Sequence, residues 1–494
     1  MKRCSMLPPF SLKPGRDDFH VVPDQDPDLP QIQNSTPRTR PKTFFQPPPS
    51  SGCGFLLLLA TALNLTAQTN IIAARRPNIP EMVEADGTLR LDFGDEILVL
   101  PRGLQPSLLR TASGALVVQA QIPEKPFASA RMHYPSALET RISRDDGKTW
   151  LRLPLPANDN GLNFEGGAIQ LRDGTILALD TYITPGQKPD EGIGQLYIST
   201  NDWMTLEGPN DVPFHLPGAD FYCSKDDGGH PHDALRLHRR ILELPNGDLL
   251  ATYYGWLKGD NTPSTYMPSM IKTRVILVRS HDRGLHWQLV STIAVDPAAG
   301  TEGLDEPVLV RISRGPKAGR LLCFMRTGRE LRESFSDNEG KTWSPNRARV
   351  FAGLDVFRAE LWVDHFRNFK GSKGKLLDEN NPDELRGAVV DPDLIELRSG
   401  LLVAAFGVRI PQKACWAHPE HSWNGNYLAF SSDHGETWSN VVRLTSGVLT
   451  THYMAIAETL TDNKLFVTYD LGSWSKGSQR DTWGRFVTVT KKPD

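Results

Sequence analysis

Cysteine is scarce in this 494-residue chain: five residues, of which Cys4 and Cys53 lie near the N-terminus. The other three, Cys223, Cys323 and Cys415, are odd in number and spaced like neither a disulfide framework nor a zinc ribbon. Cys323, inside the apolar run LLCFM, reads as a core residue. An excess of charge of one sign is also missing. Fifty-five Lys and Arg against 58 Asp and Glu leave a net charge of −3, which gives no reason to expect nucleic acid or an anionic membrane as partner. Long apolar runs are nearly absent. The one present, Phe55–Leu65 (FLLLLATALNL), is too short to span a bilayer but suits the apolar region of a signal peptide. Thr66-Ala67-Gln68 offers a cleavage point, so a secreted or periplasmic protein is expected, with no stable membrane insertion once the signal is removed. A buried apolar strand is the alternative reading of the same run. Residues 1–54, rich in Pro, Ser and charge, read as a disordered leader, 55–67 as the signal region and 68–88 as a linker. A leader that long before a signal peptide is unusual, and a start codon assigned upstream of the true one would explain it.

What the chain has is repetition. SRDDGKTW (Ser143–Trp150), SHDRGLHW (Ser280–Trp287), SDNEGKTW (Ser336–Trp343) and SSDHGETW (Ser431–Trp438) share the frame Ser-x-Asp/Asn-x-Gly-x-x-Trp. In a tight hairpin the short acid or amide can bond backbone N–H groups, Gly supplies a positive φ, and Trp buries a large ring beneath the turn. One such octapeptide could be chance, but four make a repeat. These segments resemble the Asp-box (BNR) repeats of the sialidase superfamily. The resemblance covers roughly residues 95–490 and implies an all-β fold, a six-bladed β-propeller of four-stranded antiparallel blades spanning 89–494. The 41 Gly and 11 Trp suit such a turn-rich chain.

A second recurrence is independent of the boxes. Six times an apolar run enters a small turn and leaves in another apolar run, with turns at Gly114, Gly174, Gly247, Gly319, Gly400 and Asn463, spaced 60, 73, 72, 81 and 63 residues apart. A box follows four of these hairpins, and a degenerate copy ending at Trp203 follows Gly174. Each unit therefore reads as an inner hairpin followed by an outer one, four strands in all, repeated six times. GRFVTVT (Gly484–Thr490) ends the sixth unit, and a strand around Leu89–Leu100 is placed to join it and close a ring. A β-sandwich of similar content would not need the sixfold recurrence.

About nine or ten positions before each turn (thirteen in the fourth unit, whose turn is longer), where the innermost strand begins, stand Gln105, Glu165, His238, Glu306, Asp391 and Tyr453. All are polar although the residues after them are mainly apolar. In a ring these strand starts converge at one end of the axis, so the six would line one pocket. The bland alternative is a solvated polar rim. Asp305-Glu306-Pro307 resembles the sialidase motif that carries the general-base Glu, and Tyr453 resembles the nucleophilic Tyr. A phenol near pKa 10 is a poor nucleophile at neutral pH unless a carboxylate takes its proton. A neutral Tyr also escapes the repulsion that an acid would meet beside a substrate carboxylate, and sialidases are the Tyr exception among glycosidases.

The resemblance implies three arginines gripping that carboxylate, since a guanidinium binds it in bidentate fashion. Arg326 matches the second. The Arg-Ile-Pro triplet expected for the first is Leu104-Gln105-Pro106 here, with Arg102 two residues upstream. The third falls where the chain has Asn424-Gly425-Asn426, with Arg409 as a candidate substitute. The general-acid Asp is missing after the first hairpin, where Glu124 or His133 could serve. The expected activity is retaining glycoside hydrolysis of exo-α-sialidase type, with Tyr453, Glu306 and Glu124 catalytic and Arg326, Arg102, Arg409, Gln105, Glu165, His238 and Asp391 binding substrate. No cofactor is implied, and a glycan substrate and a monomer are expected. The alternatives are a glycosidase or lyase acting on a uronic or neutral sugar, with His238 as acid or base, or a non-catalytic carbohydrate-binding propeller. A metal on His230, His232 and Asp233 is a weak reading, because His-x-His in a loop is more often a polar pocket wall. Residues 370–385 read as a polar insertion.

Overall fold

The computed structural model describes residues 71–492, apart from 127–135, 154–161, 166, 226–231, 266–268, 355–384, 475–476 and a few positions between 413 and 420. His133, His230 and nearly all of the expected 370–385 insertion lie outside the described residues, as do the leader and the apolar run. The fold is all-β: apart from one 3₁₀ turn at Gly315–Lys317, the elements traced through the described residues are strands.

The inner hairpins form where the sequence places them. Leu104–Arg110 pairs antiparallel with Leu116–Pro126, and the polypeptide continues outward through Ser136–Ser143 and Thr149–Leu153. The same antiparallel path recurs from Ala168–Gln170, Leu235–Glu243, Asp305–Arg311 and Ala388–Glu396. The meanders starting at Ala168 and Leu235 are hydrogen-bonded to one another in a single nine-stranded sheet. The last, Met454–Glu458 and Lys464–Gly472, pairs onto Arg480–Lys491, whose other edge takes Glu96–Pro101 from the start of the chain. Leu89–Phe93 pairs further along that same edge. Residues expected as a linker do more than connect. Ile71–Ile72, Arg75–Arg76 and Glu81–Met82 each add a short antiparallel edge strand to a different sheet.

Packing follows the repeat. Strand residues here are apolar on both faces, so each meander must cover its neighbours. Leu109, Val117 and Ile142 of the first meander pack on Ile176, Ala178 and Tyr197 of the second. Leu177 and Leu196 of the second meet Leu237 and Tyr253 of the third. Leu250 and Leu277 then meet Leu309 and Leu321, Phe324 meets Phe406, and Val403 and Phe430 meet Ile456 and Val467. A sixth cluster returns to the beginning, with Phe466 and Ile97 against Leu108 and Val118. Among the described residues the core thus forms six clusters in cyclic succession. Cys323 is wholly buried in one of them, as expected.

The boxes have one geometry. Ser143 Oγ accepts the Gly147 N–H at 2.9 Å, while the Asp145 carboxylate accepts the Thr149 N–H at 2.9 Å and its hydroxyl at 2.7 Å. The Ser-to-Gly contact repeats at 2.8 Å for Gly284 and 2.9 Å for Gly340 and Gly435. In the degenerate copy Trp203, not Gly, donates to Ser199 Oγ, with φ of 65°. Trp203 therefore fills the glycine position of its box, four residues after Ser199.

Candidate active site

Most of the expected strand-start residues do not begin their strands. They sit at or beside slips in register between the first two strands of a meander: Leu104/Ser107, Leu237/Ile241, Asp305/Val308 and Val390/Asp393. Gln105, Arg239, Glu306 and Asp391 have φ of 53°, 42°, 38° and 47°, a region that side chains other than Gly resist. Such bulges turn a side chain out of the sheet's alternation and toward a site. In three of the four the next residue is proline (Pro106, Pro307, Pro392), which has no N–H to leave unpaired where the ladder breaks. Glu165 lies in the turn just before Ala168–Gln170, and Tyr453 immediately precedes Met454–Glu458.

Four of the six expected strand-start residues, Tyr453, Glu306, Asp391 and His238, converge with Arg326. Tyr453 donates its phenol to Glu306 Oε1 across 147 residues of sequence, with both side chains about 5% exposed. Arg326 Nη1 reaches the same carboxylate oxygen at 2.6 Å and the phenol oxygen at 3.3 Å, and its Nη2 bonds Glu302. Glu306 Oε2 accepts the Asp391 N–H at 3.0 Å. The Asp391 carboxylate, fully buried, accepts from Arg239 Nη2 at 2.7 Å and from the Met454 N–H at 2.6 Å, with His238 Nε2 3.0 Å away. The residue after Tyr453 is thus pinned by the acid beside Glu306. Asp470, buried in Lys464–Gly472, orients the same segment by accepting the Thr451 N–H, and it takes the Gln105 N–H at 2.7 Å.

The electrostatics divide the acids. Burial would raise Glu306, but Arg326, His238 and the Tyr453 hydrogen bond overcome it and hold the carboxyl at about 2. Burial and the Glu306 charge push the Tyr453 phenol well above its ordinary value. In Asp305, burial and the neighbouring Glu302 push the carboxyl well up despite Arg326. Glu165 is raised by its surroundings and by Glu306 and Asp391, against the pull of His238 and Arg239.

The remaining expected residues fare differently. Arg409 is buried, donates to the Thr451 carbonyl at 2.9 Å and lies close enough for its charge to lower Glu306. Gln105 is half-buried and accepts from Gln121 at 2.7 Å. Arg102 is exposed on the turn ahead of Leu104–Arg110, its backbone N–H on Asp481, and is not drawn into the network around Glu306. Glu124 lies within the strand Leu116–Pro126, but its side chain is outside the described residues. Where a third arginine was expected, Asn426 is buried and accepts from Thr445 and Thr450. His232 packs against the Trp256 ring at 4.8 Å, a wall contact.

Sequence reasoning missed Arg239, Glu302 and Tyr254. Tyr254 stands next to last in the second strand of the third meander, Leu249–Gly255, where burial and then the charges of Glu306, Glu165 and Asp305 raise its phenol against the pull of Arg236. His238, Glu306 and Asp391 place three donor atoms within 4.8 Å of one another, a set that could hold a divalent ion. Their donors are already committed to Arg239, Arg326 and Tyr453, so an ion would have to displace two guanidinium groups. The set suits an ion-pair network better than a metal centre.

No family profile matches the chain, and no curated protein matches it. Among solved structures it is similar to a protein of unknown function from Dyadobacter fermentans, at 17% identity and a TM-score of 0.52 over 81% of this chain and 99% of the other. That likeness bears on the fold. Two further matches have TM-scores of 0.46 at 14% identity. One is an alpha-L-arabinanase of Penicillium chrysogenum complexed with arabinobiose, covering 84% of this chain and 98% of that one. The other is a Hadza microbial sialidase, covering 84% and 68%.

Proposed function

We propose that the chain is a six-bladed β-propeller of sialidase type and a retaining glycoside hydrolase acting at the end of a glycan. The observation that carries this reading is the buried hydrogen bond from Tyr453 to Glu306, with Arg326 against both. Tyr453 would attack the anomeric carbon while Glu306, kept ionised by Arg326, takes the phenolic proton. Arg326 offsets the negative charge that forms on the phenol oxygen as the proton leaves.

For the sugar, the arrangement favours a glycone without a carboxylate over a sialoside. Both terminal nitrogens of Arg326 are held by Glu302 and Glu306, and Arg239 is held by Asp391. Five acids (Glu165, Glu302, Asp305, Glu306 and Asp391) crowd the site against Arg239, Arg326 and Arg409. Another carboxylate would enter without a free bidentate partner. A neutral phenol is the nucleophile that adds no further charge there.

Release of the aglycone from a panel of neutral, uronic and sialic glycosides tests this reading. Tyr453→Phe and Glu306→Gln should each lower kcat/KM on the substrate that is turned over by roughly 10²–10⁴-fold, the range for loss of a nucleophile's activation, with the fold intact. Glycan binding without turnover of any glycoside would instead mark a carbohydrate-binding propeller.

A further inference from the structure

The retaining reaction needs a group that protonates the departing oxygen, and the first meander offers no Asp for it. We propose that Glu165 is this proton donor, an inference that rests on the glycosidase reading above. The other acids of the cluster are bound by donors or, like Asp305, buried. Glu306 is bound by Arg326, Tyr453 and the Asp391 N–H, and Asp391 by Arg239, His238 and the Met454 N–H. Glu302 is bound by Arg326, and Asp305 is 7% exposed, in hydrogen-bonding contact with Glu302 and 3.9 Å from the Arg326 Nε. Glu165 is half-buried, and no described residue donates a hydrogen bond to its carboxyl. A donor must be able to touch an incoming oxygen, and Glu165 is the acid of this group left able to do so.

Its position is also fixed. The Glu165 carbonyl accepts the Arg239 N–H at 3.2 Å, which ties the turn to the bulge that carries His238. Gly167 permits this approach, since a Cβ there would come within 2.2 Å of the Leu237 side chain and 2.9 Å of the Leu179 carbonyl. The groups that act on the carboxyl are His238 and Arg239 from the third meander, Glu306 from the fourth and Asp391 from the fifth. Tyr254 and Tyr453 also interact with it. Their sum, with withdrawal from water, raises its pKa while Glu306 is held at about 2. Two carboxyls pushed apart in this way divide acid from base.

The steps balance. As Tyr453 Oη bonds the anomeric carbon and its proton passes to Glu306, the glycosidic C–O bond breaks and its electron pair leaves on oxygen, which takes the Glu165 proton and departs as an alcohol. In the second step water bonds the anomeric carbon and gives a proton to the Glu165 carboxylate. The tyrosyl C–O bond breaks, and Tyr453 recovers its proton from Glu306.

The test compares Glu165→Gln with the unmutated protein on two glycosides of the same sugar, one with an alkyl and one with a dinitrophenyl leaving group. The expected result is a roughly 10²–10⁴-fold loss of kcat/KM on the alkyl glycoside and little loss on the dinitrophenyl one, which leaves without a proton. The alkaline limb of the pH profile should vanish in Glu165→Gln and persist in Glu165→Asp. Equal losses on both substrates, or none, overturn the assignment while leaving the glycosidase reading in place. Infrared difference spectra recorded across a pH titration need no turnover. A protonated carboxyl band that persists above the ordinary carboxylate range in the unmutated protein and is lost in Glu165→Gln is expected, and a Glu165 band that titrates within the ordinary range would overturn the proposal even if no glycoside is cleaved.

Discussion

At the scale of single residues, the site is built from groups withdrawn from water and made to answer one another. Asp470 is a second example. It accepts from the Thr451 and Gln105 N–H groups and from the hydroxyls of Thr450 and Thr451, yet burial outweighs these bonds and lifts its carboxyl from 3.8 to about 6. The folded state therefore holds that proton more tightly than the unfolded chain does. Its contribution, about 3 kcal/mol for a rise of this size, is complete below pH about 4 and is lost as pH rises through about 6. Asp470→Asn removes the titration, so the difference in urea midpoint between variant and unmutated protein should change between pH 4 and 7; a constant difference would contradict the shift. Glu306 and Tyr453 were legible from the sequence because they hold like offsets in two repeats. Arg239 was not, because the bulge that turns it onto Asp391 adds two residues between Leu237 and Ile241, which keeps the alternation of faces and leaves no trace in apolar periodicity. The Gln105-Pro106, Glu306-Pro307 and Asp391-Pro392 pairs were the readable sign of those bulges.

At the scale of elements, the boxes clamp the outer hairpins. The carboxylates of Asp145, Asp282 and Asp433 are each raised by burial but lowered further by hydrogen bonds from the residues four positions on, ending below the usual range. Such depressed groups stabilise the fold at neutral pH, and the contribution is lost as pH falls through the folded pKa. Asp433→Ala removes the acceptor of the Thr437 N–H and hydroxyl and should cost about 1–3 kcal/mol at pH 7, less at pH 3, measured as the shift in denaturation midpoint. An equal cost at both pH values would show that the charge plays no part. Four boxes could be read directly from Ser, Asp or Asn, Gly and Trp. The fifth is degenerate because its glycine position holds Trp203, and a Trp in the left-handed region of a turn is not what local preference suggests. Trp203 is held there by burial against Phe164, with ring centroids 5.0 Å apart.

At the scale of the whole molecule, six core clusters in cyclic succession, the last joining Phe466 to Leu108, bring residues from five meanders to a common centre. The hairpin spacing made this order legible, and the pairing of Glu96–Pro101 onto Arg480–Lys491 was foreseeable from the apolar run near residue 95. The short edge strands between Ile71 and Met82 were not, because two-residue pairings carry no pattern of their own. Nor could the sequence tell that Arg326 would be consumed by Glu302 and Glu306, since Glu302 comes from a loop. The cyclic order matters to function through one pair of side chains. Peptide mapping by mass spectrometry, after the protein is incubated with a fluorinated glycosyl fluoride of the sugar identified by the glycoside panel, tests that pair most directly. The account predicts a sugar adduct on the peptide that contains Tyr453 and none in Tyr453→Phe; an adduct on Glu306 or Asp391, or turnover with inversion and no adduct, would contradict it.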